Sequence, residues 1–136
     1  MSDLTRPTRP IHRNIHISQI VLYRLPAAGV VSILHRISGA LLFLLLPFVL
    51  YLFDKSLTST VSFETMKSVT SNWFVKLVVL ALIWAYLVHF VAGIRHLVMD
   101  VHIGVEKDTG RQTAVSVLVI STVLWLAFAL KIFGAF

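Results

Sequence analysis

The sequence predicts an all-α integral membrane protein with three transmembrane helices. Three observations carry this: too little charge for a water-facing surface, three long uncharged apolar runs, and cations gathered at the ends of those runs. Of the 136 residues, 57% are hydrophobic and 13% charged, whereas a soluble domain carries about 25% charged residues. A chain of this length makes one domain, and lipid is the solvent that suits its surface.

The apolar runs are Ile37 to Phe53, Leu77 to Ile94 and Gln112 to Leu130. A helix needs roughly 20 residues to cross about 30 Å of hydrocarbon. The first run reaches that length if its helix starts near Val30, which brings His35 and Arg36 into its first two turns. The second extends back to Trp73, an interfacial aromatic, and forward past His96. The predicted spans are 30–53, 73–98 and 112–134, within a transmembrane domain 30–136 that follows an N-terminal segment 1–29. The first connection, Asp54 to Asn72, is rich in Ser and Thr; the second, about Val101 to Arg111, holds the turn signal Asp108-Thr109-Gly110.

Charge sets the expected orientation. Arg6, Arg9, Arg13, Arg24, Arg36, Arg95, Lys107 and Arg111 fall on one side, against Lys55, Lys67, Lys76 and Lys131 on the other. The N-terminus and second loop are therefore expected in the cytoplasm of a bacterium, with the C-terminus periplasmic across the inner membrane. A net charge of +6 also raises nucleic acid as a partner. The cations form no stripe interleaved with stacking aromatics, so none is expected. With no cysteine, disulfides and iron–sulfur ligation within this chain are excluded. No secretory pattern precedes the first apolar run.

Polar residues gather where the first span starts and the second ends. The first carries Ser32, His35 and Arg36; the second carries His89, Arg95, His96 and Asp100. An ionisable group inside a span costs at least about 2.5–3.5 kcal/mol on insertion scales, which marks functional positions. Snorkelling to the headgroups is an equal account of Arg95 and Asp100. It does not suit His89, which is short and deep in its run. His89 and His96 lie two helical turns apart, on nearly one face, with Gly93 between them. An imidazole beside a glycine recess suits a porphyrin, whose iron takes a neutral His ligand. His35, Arg36, Arg95 and His96 can then serve the two propionates of haem b. Ser32 and Arg36 share a face and offer a hydroxyl and a guanidinium to quinone carbonyl oxygens; the alternative for Ser32 is a helix cap.

Two segments carry a family resemblance. Ser32-Ile-Leu-His35-Arg36-Ile-Ser38-Gly39 and His89-x-x-x-Gly93-Ile94-Arg95-His96-x-x-x-Asp100 resemble the two signatures of succinate dehydrogenase cytochrome b membrane-anchor subunits. Arg9-Pro10 also fits that family's N-terminal start. The resemblance implies a heterodimeric helical bundle, in which His89 is an axial ligand of haem b and a second small membrane subunit supplies the other. It places Ser32 and Arg36 in a ubiquinone site beside the iron–sulfur subunit, and His35 near the propionates and the path of protons to quinone. A flavoprotein subunit completes the implied complex. Two departures stand out: the segment from Pro10 to Ser32 is longer than the family pattern, and His102 stands where a small residue is expected. The competing readings are the anchor of a quinol–fumarate reductase and a haem-free structural anchor. A small transporter is disfavoured by the lack of inverted repeats and of helix pairs broken by Gly or Pro.

Overall fold

The computed structural model describes residues 16–134. Among them are helices α1 (Ile17–Leu22), α2 (Ala27–Thr58), α3 (Thr60–Ser71), α4 (Trp73–Asp100) and α5 (Lys107–Ile132), and no strand. The spans α2, α4 and α5 contain 32, 28 and 26 residues, and all three are long and apolar enough to cross a membrane. At about 1.5 Å per residue each exceeds ~30 Å of hydrocarbon, so their ends project from it. Arg6, Arg9 and Arg13, with the Arg9-Pro10 motif, lie outside the described residues.

Each helix starts or stops for a local reason. Pro26 is extended (φ −67°, ψ 155°), and its carbonyl accepts from Gly29 and Val30 N–H at 2.9 and 3.1 Å. That begins α2 at Ala27 rather than Val30. Ser32 consequently lies inside the helix, and the capping alternative fails. The apolar run ends at Phe53, yet α2 continues to Thr58, where Ser59 (φ −165°, ψ 166°) breaks the ladder. Ser59 and Ser62 then cap α3 reciprocally: Ser62 N–H donates to Ser59 Oγ at 3.1 Å, and Ser59 N–H donates to Ser62 Oγ at 2.9 Å. The Ser/Thr-rich connection is thus mostly helical. Asn72 closes it and caps α4, its Oδ1 accepting from Phe74 N–H at 2.9 Å.

The second connection is shorter than its turn signal suggests. Glu106 is the extended residue before α5, and its carbonyl accepts from Gly110 N–H at 2.7 Å. Asp108-Thr109-Gly110 therefore forms the first turn of α5, where the Asp108 carboxylate meets the positive end of the helix dipole. The true loop leaves α4 through His102, which has φ +61°. Its N–H donates to Met99 O at 2.9 Å, and Ile103 N–H donates to Val98 O at 3.3 Å. Those two bonds form a Schellman ending, whose left-handed position favours glycine. This is the physical reason a small residue is expected there. His102 fills the position with an exposed side chain instead.

α4 is the central element, packed along both α2 and α5. Its contact with them is made by small and β-branched residues: Val31 of α2, Ala92 of α4, and Ala114 and Val117 of α5 form a buried cluster. Small side chains let helix backbones approach closely where lipid supplies no hydrophobic drive for association. Two polar side chains of α5 are paired within the bundle. Ser121 Oγ donates to Val117 O at 2.6 Å, and Trp125 Nε1 donates across to Leu80 O of α4 at 3.0 Å. Pro47 sits within α2, where it leaves the Phe43 carbonyl without its helical donor. The outer faces are apolar: Phe43, Leu44, Tyr86 and Leu97 are 75%, 70%, 56% and 68% exposed. Such faces require lipid or another helix.

Candidate functional site

The antiparallel pairing of α2 with α4 brings His35, His89 and His96 together. The His35 and His89 rings stack with centroids 4.2 Å apart and planes within 5°. The His96 ring lies 5.0 Å from His35, tilted by 50°. Rings stacked this way do not aim their nitrogens at a common point, and no metal cluster of three ligating side chains forms among the described residues. The arrangement suits a single axial ligand.

His89 is held from α2. Its Nδ1 lies 3.1 Å from the His35 carbonyl oxygen and 3.4 Å from Ser38 Oγ. A carbonyl only accepts, so Nδ1 carries the proton and Nε2 keeps its lone pair. This is the state a haem ligand needs, with its second nitrogen anchored to backbone. The Ser38 hydroxyl donates to the same carbonyl at 2.9 Å, and Ser38 is fully buried.

Glycine makes the contact possible, but not at the position expected. A Cβ on Gly39 would stand 2.9 Å from His89 Cε1 and 3.3 Å from its Nδ1. The flat surface beside the His89 ring is therefore Gly39, on the opposing helix. Space above Gly93 is taken by His35, whose Nε2 would lie 3.6 Å from a Cβ there. That recess serves His35, which corrects the idea that Gly93 opens space beside His89. His35 Nε2 is buried and has no hydrogen-bond partner. A buried polar nitrogen normally has one, and an acceptor or donor brought by a bound group would satisfy it. Together these features fit a haem: a ligand nitrogen with its lone pair kept, a glycine-flanked ring, and an orphaned imidazole beside it.

The other expected site residues are distributed unevenly. Ser32 is half-buried and Arg36 exposed on α2, one turn apart and flanking His35. Among the described residues neither has a side-chain hydrogen bond or ion pair, so both offer free donors. Arg95 is turned away from the imidazoles. It is 8% exposed, and its Nε and Nη2 donate to Thr113 Oγ1 and Gly110 O of α5, both at 3.1 Å. Hydrogen bonds from a charged donor contribute about 1.5–3 kcal/mol each, so Arg95 ties α4 to α5. It also borders a cavity of about 810 Å³ at this end of the bundle, shared with Arg24, Lys107 and Arg111. Asp100 and His102 are exposed and lie outside the cluster. Ser38 and Gly39 were legible as part of the His35 motif, yet only the inter-helix register reveals what they touch.

Comparison with known proteins identifies the family. A family model described as the succinate dehydrogenase/fumarate reductase transmembrane subunit matches residues 5–128. The chain is 38% identical over 100 residues to the succinate dehydrogenase cytochrome b556 subunit of Coxiella burnetii, covering 73% of this chain and 80% of that protein. It is 28% identical over 124 residues to the subunit of the same name from Paracoccus denitrificans, covering 91% and 92%. The chain belongs to the succinate dehydrogenase/fumarate reductase transmembrane subunit family.

Proposed function

We propose that this chain is the haem b- and quinone-binding anchor of a succinate dehydrogenase, through which electrons from succinate oxidation reach ubiquinone. The observation that carries the reading is the His89 imidazole, whose Nδ1–H donates to the His35 carbonyl and leaves Nε2 free. A second small membrane subunit supplies the other axial ligand, and flavoprotein and iron–sulfur subunits dock at the end bearing His35. When bound, haem supplies a one-electron carrier. His35, Arg36 and His96 serve its propionates; Arg95, committed to α5, acts there through helix packing.

The chemistry asked of this chain is binding and proton management. Succinate gives up two electrons and two protons to become fumarate in the soluble subunits. Quinone takes up two electrons and two protons to become quinol. Ser32 and Arg36 donate hydrogen bonds to a quinone carbonyl oxygen, and the guanidinium opposes the negative charge that grows on it as electrons arrive. Their place at the helix end keeps the headgroup within reach of water and of the docked clusters. His35, on the same turn of α2, is a side chain able to hold a proton for delivery.

Ser32→Ala is expected to weaken quinone reduction roughly threefold to tenfold, from the loss of a hydrogen bond contributing about 0.5–1.5 kcal/mol. Arg36→Leu is expected to lose more, since a charge goes with the donors. In both variants, succinate oxidation with an artificial acceptor that draws on the soluble subunits should persist. Steady-state assays of the assembled complex with both acceptors decide it. Normal quinone reduction in both variants would remove Ser32 and Arg36 from the site, and parallel loss with both acceptors would mean failed assembly.

The charge distribution supports an N-terminus in the bacterial cytoplasm and a periplasmic C-terminus. A reporter fused after Phe136 should be active only in a form that works in the periplasm. Cytoplasmic reporter activity would reverse the orientation and move the quinone site to the wrong face.

A further inference from the structure

We propose that Ser38 is a positioning residue that sets the redox potential of the haem through His89, an inference resting on the reading of His89 as an axial ligand. The His35 carbonyl lies within hydrogen-bond reach of two side chains: the Ser38 hydroxyl donates at 2.9 Å and His89 Nδ1–H at 3.1 Å. Ser38 Oγ is itself 3.4 Å from Nδ1. These three groups form a closed triangle in which Ser38, at 0% exposure, cannot exchange its partners for water. The group that holds a ligating imidazole through its second nitrogen governs the basicity of the first.

The distances decide the sign. Ser38 acts on the carbonyl through the short contact and on Nδ1 only through the long one. Its main effect is to draw electron density from the carbonyl oxygen, which then accepts less strongly from Nδ1–H. Without the hydroxyl the carbonyl pulls harder on that proton. The ring becomes a better electron donor at Nε2, and the ferric state gains. A role confined to filling space between α2 and α4 would leave the potential where it is.

The test is a redox titration of the haem in the purified wild-type complex and in Ser38→Ala, Ser38→Cys and His89→Leu. Ser38→Ala is expected to keep its haem and shift the midpoint potential to more negative values, with a displaced low-spin resonance signal. Ser38→Cys fills the site with a somewhat larger, weaker donor and should shift in the same direction by less. If Ser38→Ala fails to assemble, Ser38→Cys carries the test alone. A potential and resonance signal equal to wild type, or a shift to more positive values, overturns the proposal. An unchanged spectrum in His89→Leu is a separate outcome: it removes the ligand reading on which the proposal stands.

Discussion

His89→Leu is expected to abolish the low-spin b-type signature of the complex. Leucine is a strong helix former of comparable bulk, so it suits the backbone of α4. The substitution therefore removes the ligating nitrogen while sparing the helix. What is lost is Nε2, together with the Nδ1 contact to the His35 carbonyl at 3.1 Å. The dithionite-reduced spectrum should lose its b-type bands or shift to that of a five-coordinate iron, and the low-spin resonance signal should vanish. Succinate oxidation with an artificial acceptor should continue in the assembled complex. His96→Leu is the matched control: its ring touches His35 rather than His89, so low-spin ligation should survive. A normal spectrum in His89→Leu combined with a lost one in His96→Leu would transfer the ligand role to His96.

Gly39→Ala should nearly match that effect from the opposite helix, without touching any ligand. An added Cβ would lie 2.9 Å from His89 Cε1, closer than carbon atoms pack, and the ring has little room to retreat. His35 covers one of its faces at 4.2 Å between centroids. The imidazole must therefore turn or slide, which stretches its bond to the His35 carbonyl. Loss of the contact that orients a metal-bound His typically costs 10–100-fold in affinity. The haem-to-flavin ratio of purified Gly39→Ala complex should fall accordingly, and residual haem should show a displaced resonance signal. Gly93→Ala makes an informative contrast, because its Cβ would meet His35 Nε2 at an ordinary 3.6 Å. Equal haem content and identical signals in Gly39→Ala and wild type would contradict the close approach on which the site is built.

Much of the fold is legible in the sequence, because it depends on properties local to each segment. The apolar runs locate α2, α4 and α5, and the alternation of spans brings the start of α2 and the end of α4 to one face. His35 and His89 are likewise conspicuous, as costly groups in apolar stretches. What was not legible depends on register between helices. Spacing along α4 shows that Gly93 shares a face with His89, but not that His35 of α2 fills that space. It also cannot show that Gly39, rather than Gly93, abuts the His89 ring. Arg95 illustrates the same limit: position along the chain suggests a propionate or a headgroup, while Thr113 and Gly110 claim two of its donors. Helix ends were displaced where turn-forming residues serve another purpose. Ser59 and Ser62 cap a helix inside a presumed connection, and Asp108-Thr109-Gly110 opens α5.

On the reading proposed above, His89 of this anchor would ligate a haem b shared with a second membrane subunit of a succinate-oxidising complex. Purifying the native complex through a tag on this chain, recording its dithionite-reduced minus oxidised spectrum, and identifying the co-purifying chains by mass tests it most directly. The expected result is a b-type spectrum, one haem per flavin, and three further subunits: a flavoprotein, an iron–sulfur protein and a second small membrane chain. An intact complex containing those subunits but no haem would contradict it, leaving the stacked His35–His89 pair as structure alone.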